Sequence, residues 1–214
     1  MNSRFPEESL GARILEGSEK SGIFKGKKWS IHDSGITVAN QSILWKDVER
    51  LYISASSYSV NLVPMGASFS ITIIDSSERE IKLNLSSGIL GRRSKREEFS
   101  NVYRHILSFV EERQRKEFLQ RIKDGQRVSF KSFEITNEGI YCEKRLFRSG
   151  FDKLNPKSIL GSTIRQGDFY ILFMNDKGKV MERFLDSVNK IPNIHIAQRF
   201  FKLLPSLYQI EKSH

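Results

Sequence analysis

The order of apolar and polar positions divides this chain into two similar passes. In the first, Trp29-Ser30-Ile31 alternates, and the tetrad His32-Asp33-Ser34-Gly35 turns the chain into Ile36-Thr37-Val38. Ile43-Leu44-Trp45 opens the next element, Asp47 to Ser54 continues it, and Ser56 to Leu62 forms another. Phe69 to Ile74 is β-branched and apolar. Asp75-Ser76-Ser77-Glu78 turns it, and Glu80 to Leu85 alternates with Ile81, Leu83 and Leu85 on one face. The period then changes. From Ser94 to Asp124 apolar residues fall at Phe99, Val102, Tyr103, Ile106, Phe109, Val110, Phe118, Leu119 and Ile122, the spacing of an amphipathic helix. Ser94 and Glu97 have the spacing of a capping box, and Gly125 stands where a left-handed terminator belongs.

The second pass repeats this order. Val128 to Ile135 alternates, Thr136-Asn137-Glu138-Gly139 turns, and Ile140-Tyr141-Cys142 returns. Phe169 to Met174 ends at Asn175-Asp176-Lys177-Gly178, and Val180 to Leu185 follows. Asn193 caps a last helix, IHIAQRFFKLL, which Pro205 stops. Ile31-x-x-x-Gly35-Ile36 matches Ile135-x-x-x-Gly139-Ile140 at an offset of 104, and the Phe69…Asp75 run matches Phe169…Asp176 at an offset of about 100. The organisation expected is a polar lead-in over residues 1–22, a first domain over 23–124 ending in the long helix, and a second over 125–214. The helical extension 111–123 is expected to pack against the second copy.

The I-x-x-x-G-I hairpin, the Trp45-Lys46-Asp47-Val48-Glu49-Arg50-Leu51 step, a late hairpin and a closing helix resemble bacterial pleckstrin-homology-like (PH-like) domains. Lys190-Ile191-Pro192-Asn193 running into the last helix is similar to an uncharacterised bacterial tandem PH-like family. In the second copy Phe151-Asp152-Lys153-Leu154 stands loosely in place of the Trp45 step. The resemblance implies a mainly β fold with α (α+β): two antiparallel β-barrel or sandwich units in tandem, each closed by a C-terminal helix, with no enzymatic activity. Relatives that grip phosphoinositide head groups carry Lys or Arg around the first hairpin loop. Here the loops read His32–Gly35 and Thr136–Gly139, each with an acidic residue, which counts against a specific head-group pocket.

Charge narrows the partner. The chain carries 35 Lys+Arg against 25 Asp+Glu, +10 overall, which favours an anionic partner. Residues 1–124 hold 20 against 16 (+4) and residues 125–214 hold 15 against 9 (+6). The sharpest cluster is Arg92, Arg93, Lys95 and Arg96, at a helix start where the macrodipole disfavours cations. Ile89 and Leu90 precede it between two glycines and could dip into a bilayer. The plainer reading, which we favour, has them finish the core beside a solvated basic face. Lys25, Lys27 and Lys28 beside Trp29 form a second anion- or lipid-binding candidate, and Lys144, Arg145 and Arg148 around Phe147 a third. Four such cations add roughly 4 kcal/mol at an anionic membrane, about millimolar binding on their own.

Catalytic signals are poor. His32, His105, His195 and His214 are scattered without metal-ligand spacing, so no metal or cofactor is expected. Gly22 to Lys28 is one residue short of a P-loop and lacks its Ser/Thr. Cys142 has no positioned base and Trp29 alternates with polar neighbours, so both are read as core. One cysteine fits a reducing compartment, and no apolar run has the length of a membrane span. The expectation is a cytoplasmic, at most membrane-peripheral, non-enzymatic module that binds a protein or peptide partner. The alternative is peripheral binding to anionic lipid through residues 88–96. Nucleic acid is not expected, and exposed sheet edges leave a homodimer open.

Overall fold

The computed structural model describes residues 10–19, 26–60, 63–88, 92–143 and 151–210. Its contacts separate two compact units, Met1–Glu112 and Arg113–His214. The first begins with a four-stranded antiparallel meander, β1 (Arg13–Ser18), β2 (Lys28–His32), β3 (Gly35–Val38) and β4 (Gln41–Leu44). A 3-10 turn, Trp45–Asp47, leads into a three-stranded meander, β5 (Val48–Val60), β6 (Val63–Asp75) and β7 (Glu80–Gly88), and then into helix α1 (Arg92–Lys123). The second unit has the same order: β8 (Val128–Ser129), β9 (Phe133–Ile135), β10 (Ile140–Glu143) and β11 (Phe151–Leu154), a 3-10 turn at Pro156–Ser158, then β12 (Ile159–Arg165), β13 (Asp168–Met174) and β14 (Val180–Ser187), and helix α2 (Ile194–Ile210).

The fold is therefore α+β, mainly β. The expected barrel is not formed among the described residues: the four sheets are antiparallel and open, because the ladder ends at each 3-10 turn and restarts in a separate sheet. In the first unit both sheets and one face of α1 share a core. Ile31, Ile36 and Ile43 come from the first sheet, Ile71, Ile73 and Leu83 from the second, and Val102, Ile106 and Val110 from the helix. The last three recur every fourth residue, and each stabilises by roughly 1.5–3 kcal/mol when fully buried. Trp45 stacks on Phe109 with ring centroids 5.3 Å apart, and its indole N–H donates to the His32 carbonyl at 2.8 Å. In the second unit Phe133 (β9), Phe169 (β13) and Phe201 (α2) meet at 5.8–6.2 Å, joining both sheets and the helix. Arg183 on β14 adds a polar tie, reaching Asp152 on β11 at 3.0 Å.

Local chemistry repeats as well as order. Ile31 pairs with Ile36 and Ile135 with Ile140, all at most 1% exposed. Gly35 and Gly139 lie against the backbone of the following strand. A Cβ at Gly35 would collide with the Ile43 carbonyl, and one at Gly139 would sit 3.0 Å from the Leu154 carbonyl. The late hairpins use one turn: Asp75 Oδ1 accepts from the Ser77 and Arg79 amides at 2.9 and 3.0 Å, and Asn175 Oδ1 accepts from Lys177 and Lys179 at 3.1 and 2.9 Å. Asn175, not Asp176, is thus the counterpart of Asp75.

Several sequence expectations change. Within the lead-in, Leu10 is fully buried and Arg13–Ser18 is a paired strand. The element read across Ile43 to Ser54 is broken by the 3-10 turn, and Ser56–Val60 is the end of β5. Val128 to Ile135 folds back on itself: β8 and β9 pair as a hairpin whose tip, Lys131, has φ +72°. Phe151–Leu154 is a strand, so the Trp45 step has its counterpart at Pro156–Ser158. Helix α1 begins at Arg92, which leaves Ser94 inside the first turn, and Glu97 pairs with Arg93 at 3.1 Å instead of closing a capping box. Helix α2 continues through Pro205 to Ile210. Gly125 does terminate α1 at φ +72°, with the Gln126 amide on the Arg121 carbonyl (2.9 Å) and the Gly125 amide on Ile122 (3.1 Å).

Candidate functional site: an apolar groove in the second unit

The unit boundary falls inside α1, and residues 113–123 pack with the second unit. Here Arg115, Phe118, Leu119 and Ile122 recur at i, i+3, i+4 and i+7, one face of the helix. Helix α2 repeats the spacing with Ile196, Arg199, Phe200 and Leu203. These eight residues wall an apolar groove floored by Val128, Phe130 and Ile135 of the β8–β9 hairpin. The floor is rigid. Val128, Phe130 and Ile135 are each at most 2% exposed, Phe118 packs on Phe130 at 5.5 Å, and Phe130 stacks on Phe133 at 4.9 Å. The lips are not covered: Leu119 is 36% exposed and Leu203 47%. An arginine stands on each helical wall.

A buried polar pair fixes the two helices that form the walls. His195 in the first turn of α2 places Nε2 3.2 Å from Gln114 Oε1 on α1, and both side chains are buried. Burial, helped by the charge of Arg199, pushes the His195 pKa down to about 4, so at neutral pH the ring is uncharged and its Nε2–H donates. The Nδ1 lone pair has no partner among the described residues. Cys142 is core, and burial raises its thiol pKa to about 11.

The sequence-predicted cations do not converge on this groove. Arg93 is almost fully exposed and pairs with Glu97, Lys95 pairs with Glu98 at 2.6 Å, and Arg96 is exposed. Arg92 opens α1, but its side chain lies outside the described residues, as do Lys25, Ile89, Leu90, Lys144, Arg145, Phe147 and Arg148. Lys27 and Lys28 are exposed at the start of β2. Lys28 borders a cleft of about 570 Å³ that also involves Arg13, Glu16, Trp29, Ser30 and Thr37. Trp29 is core, with the indole against Gly17.

Among the described residues, β1 paired with β2 is the first hairpin, with the Glu19 amide on the Lys27 carbonyl at 2.8 Å. His32–Gly35 belongs to the second hairpin, so its Asp33 says nothing about the first. In the second unit the first connection is the tight β8–β9 tip, and Thr136–Gly139 is again the second.

Among the described residues no cluster of three His, Cys, Asp or Glu has metal-binding geometry, and no helix is long and apolar enough to cross a membrane. Sequence reasoning registered Phe118, Leu119 and Ile122 as one helical face but missed the groove. The available signal was the same apolar spacing, with one arginine, in both helices. No protein-family model matches the chain, and no curated protein matches it.

Proposed function

We propose that this chain is a non-enzymatic, cytoplasmic interaction module of two tandem PH-like units that takes a protein or peptide partner. The observation that carries the reading is the groove of the second unit, which leaves Leu119 and Leu203 part-exposed above a buried apolar floor. Such a surface gains free energy when a partner removes it from water. The element order supports the PH-like part: four strands, a 3-10 turn, three strands and a helix in each unit, with Ile31/Ile36 and Ile135/Ile140 in the same register.

Magnitude sets a limit. Covering the exposed parts of Leu119, Leu203 and their neighbours adds about 1 kcal/mol per residue, whereas micromolar binding needs about 8 kcal/mol. The apolar lips therefore act together with flanking polar or charged contacts.

The test is to pan a displayed library of unrestricted linear peptides on the full chain. Enriched peptides that lose binding to the Leu119→Glu/Leu203→Glu variant are the expected result. A panel with no binder sinks the reading. Co-sedimentation with anionic but not neutral vesicles, abolished by charge reversal of Arg92, Arg93, Lys95 and Arg96, would replace it with lipid binding.

A further inference from the structure

The unit boundary redistributes the charge. Counted to Glu112, the first unit carries 15 Lys+Arg against 14 Asp+Glu, +1, and the second carries 20 against 11, +9. Almost the whole net charge belongs to the unit that holds the groove. Within that unit Arg115 and Arg199 border the groove from opposite walls, each one turn from an apolar lip residue: Arg115 from Leu119, and Arg199 from Leu203. An occupant with apolar anchors along its centre and carboxylates on both flanks matches this surface in shape and in charge.

The backbone around the groove selects the form of that occupant. An added strand would need a long unpaired edge, and the edge strand on the groove floor, β8, has two residues. A helix satisfies its own backbone and needs only side-chain contacts. Resting on the peptide-binding reading above, we propose that the groove of the second unit is the docking site for an acidic amphipathic helix of a partner protein. Its apolar stripe packs between Leu119 and Leu203 over Phe118, Phe130 and Phe200, and its flanking carboxylates pair with Arg115 and Arg199.

The test pans the full chain against a displayed library of amphipathic helices about four turns long. Anchor positions are randomised among apolar residues and flanking positions among Glu, Ser and Lys. The expected outcome is enrichment of Glu on both flanks. The selected peptides should weaken by about tenfold or more on the Arg115→Glu/Arg199→Glu variant. They should lose binding to Leu119→Glu/Leu203→Glu and keep it with Leu160→Glu, a substitution at an exposed leucine that does not line the groove. Unchanged melting temperatures separate lost docking from lost folding, and the exposure of Leu119 and Leu203 makes both changes tolerable.

Selection of Ser or Lys flanks, of scrambled non-amphipathic sequences, or of peptides indifferent to the groove variants would overturn the acidic helix while leaving a peptide-binding module standing. Failure of both this library and the unrestricted one would remove that module as well. Groove-dependent binding to anionic vesicles, without any peptide selected, would assign the surface to a membrane instead.

Discussion

At the scale of single residues, burial decides chemistry that residue type leaves open. His195 is neutral because the protein interior disfavours its charge, and the sign of its pH effect follows. Its folded pKa of about 4 lies below the ordinary value of 6.5, so the unfolded chain takes up the proton first as pH falls. The contribution is fully present above about pH 6.5 and is lost between there and about pH 4, by up to about 3 kcal/mol. Urea titrations of the wild type and His195→Leu should show the wild type losing more stability across this window; parallel curves would refute the assignment. Cys142 gives a second outcome. With its thiol pKa raised to about 11 and its side chain buried, labelling by a maleimide at pH 8 should be slow in the folded protein and rapid in denaturant. The core assignment of Cys142, and that of Trp29, was legible because each alternates with its neighbours in a strand pattern. The His195–Gln114 pair was not, since it joins residues 81 apart on two helices.

At the scale of elements, termini and turns were read with mixed success, and capping chemistry explains which. Gly125 was legible because a left-handed residue after a long helix selects glycine. Its substitution by Ala should cost about 1 kcal/mol by thermal or chemical melting even though a Cβ there meets nothing within 4 Å. The Ser94–Glu97 box failed because the helix starts two residues earlier, and Glu97 instead has Arg93 one turn behind it. Val128 to Ile135 alternates like one strand, yet Lys131 adopts a left-handed conformation and reverses the chain. Alternation reports which face is buried and is silent on whether the chain turns back.

The matched turns at Asp75 and Asn175 were only half legible, because the side-chain bonds, not the nearest acidic residue, define the equivalence. Asp75→Ala should be the costlier change, by about 1–2 kcal/mol relative to Asn175→Ala in equilibrium unfolding. The fully buried Asp75 carboxylate also holds Arg79 at 2.6 Å, whereas Asn175 only caps its turn.

At the scale of the whole molecule, the boundary inside α1 matters most. Residues 113–124 continue the helix of the first unit in sequence, but Gln114 and Phe118 are packed with His195 and Phe130 of the second. A fragment beginning at residue 113 should therefore unfold cooperatively. One beginning at 125 should not, because it lacks one wall of the groove and the partner of a buried histidine; circular dichroism melts of the two fragments decide this. The same boundary turns an even division of charge into a strongly basic second unit, which is the basis for an acidic partner.

The sequence by itself determined the α+β composition, the passage of strands followed by a helix in each half, and the I-x-x-x-G-I hairpins. These follow from local periodicity and from glycines pressed against a neighbouring backbone, both of which act over a few residues. Only the tertiary structure decided that the sheets stay open and that β1 joins the first sheet. It also decided that two arginines and a set of half-exposed leucines and phenylalanines, from helices about 80 residues apart, border one groove. Each of these depends on which distant surfaces exclude water together, and no window of sequence contains both partners.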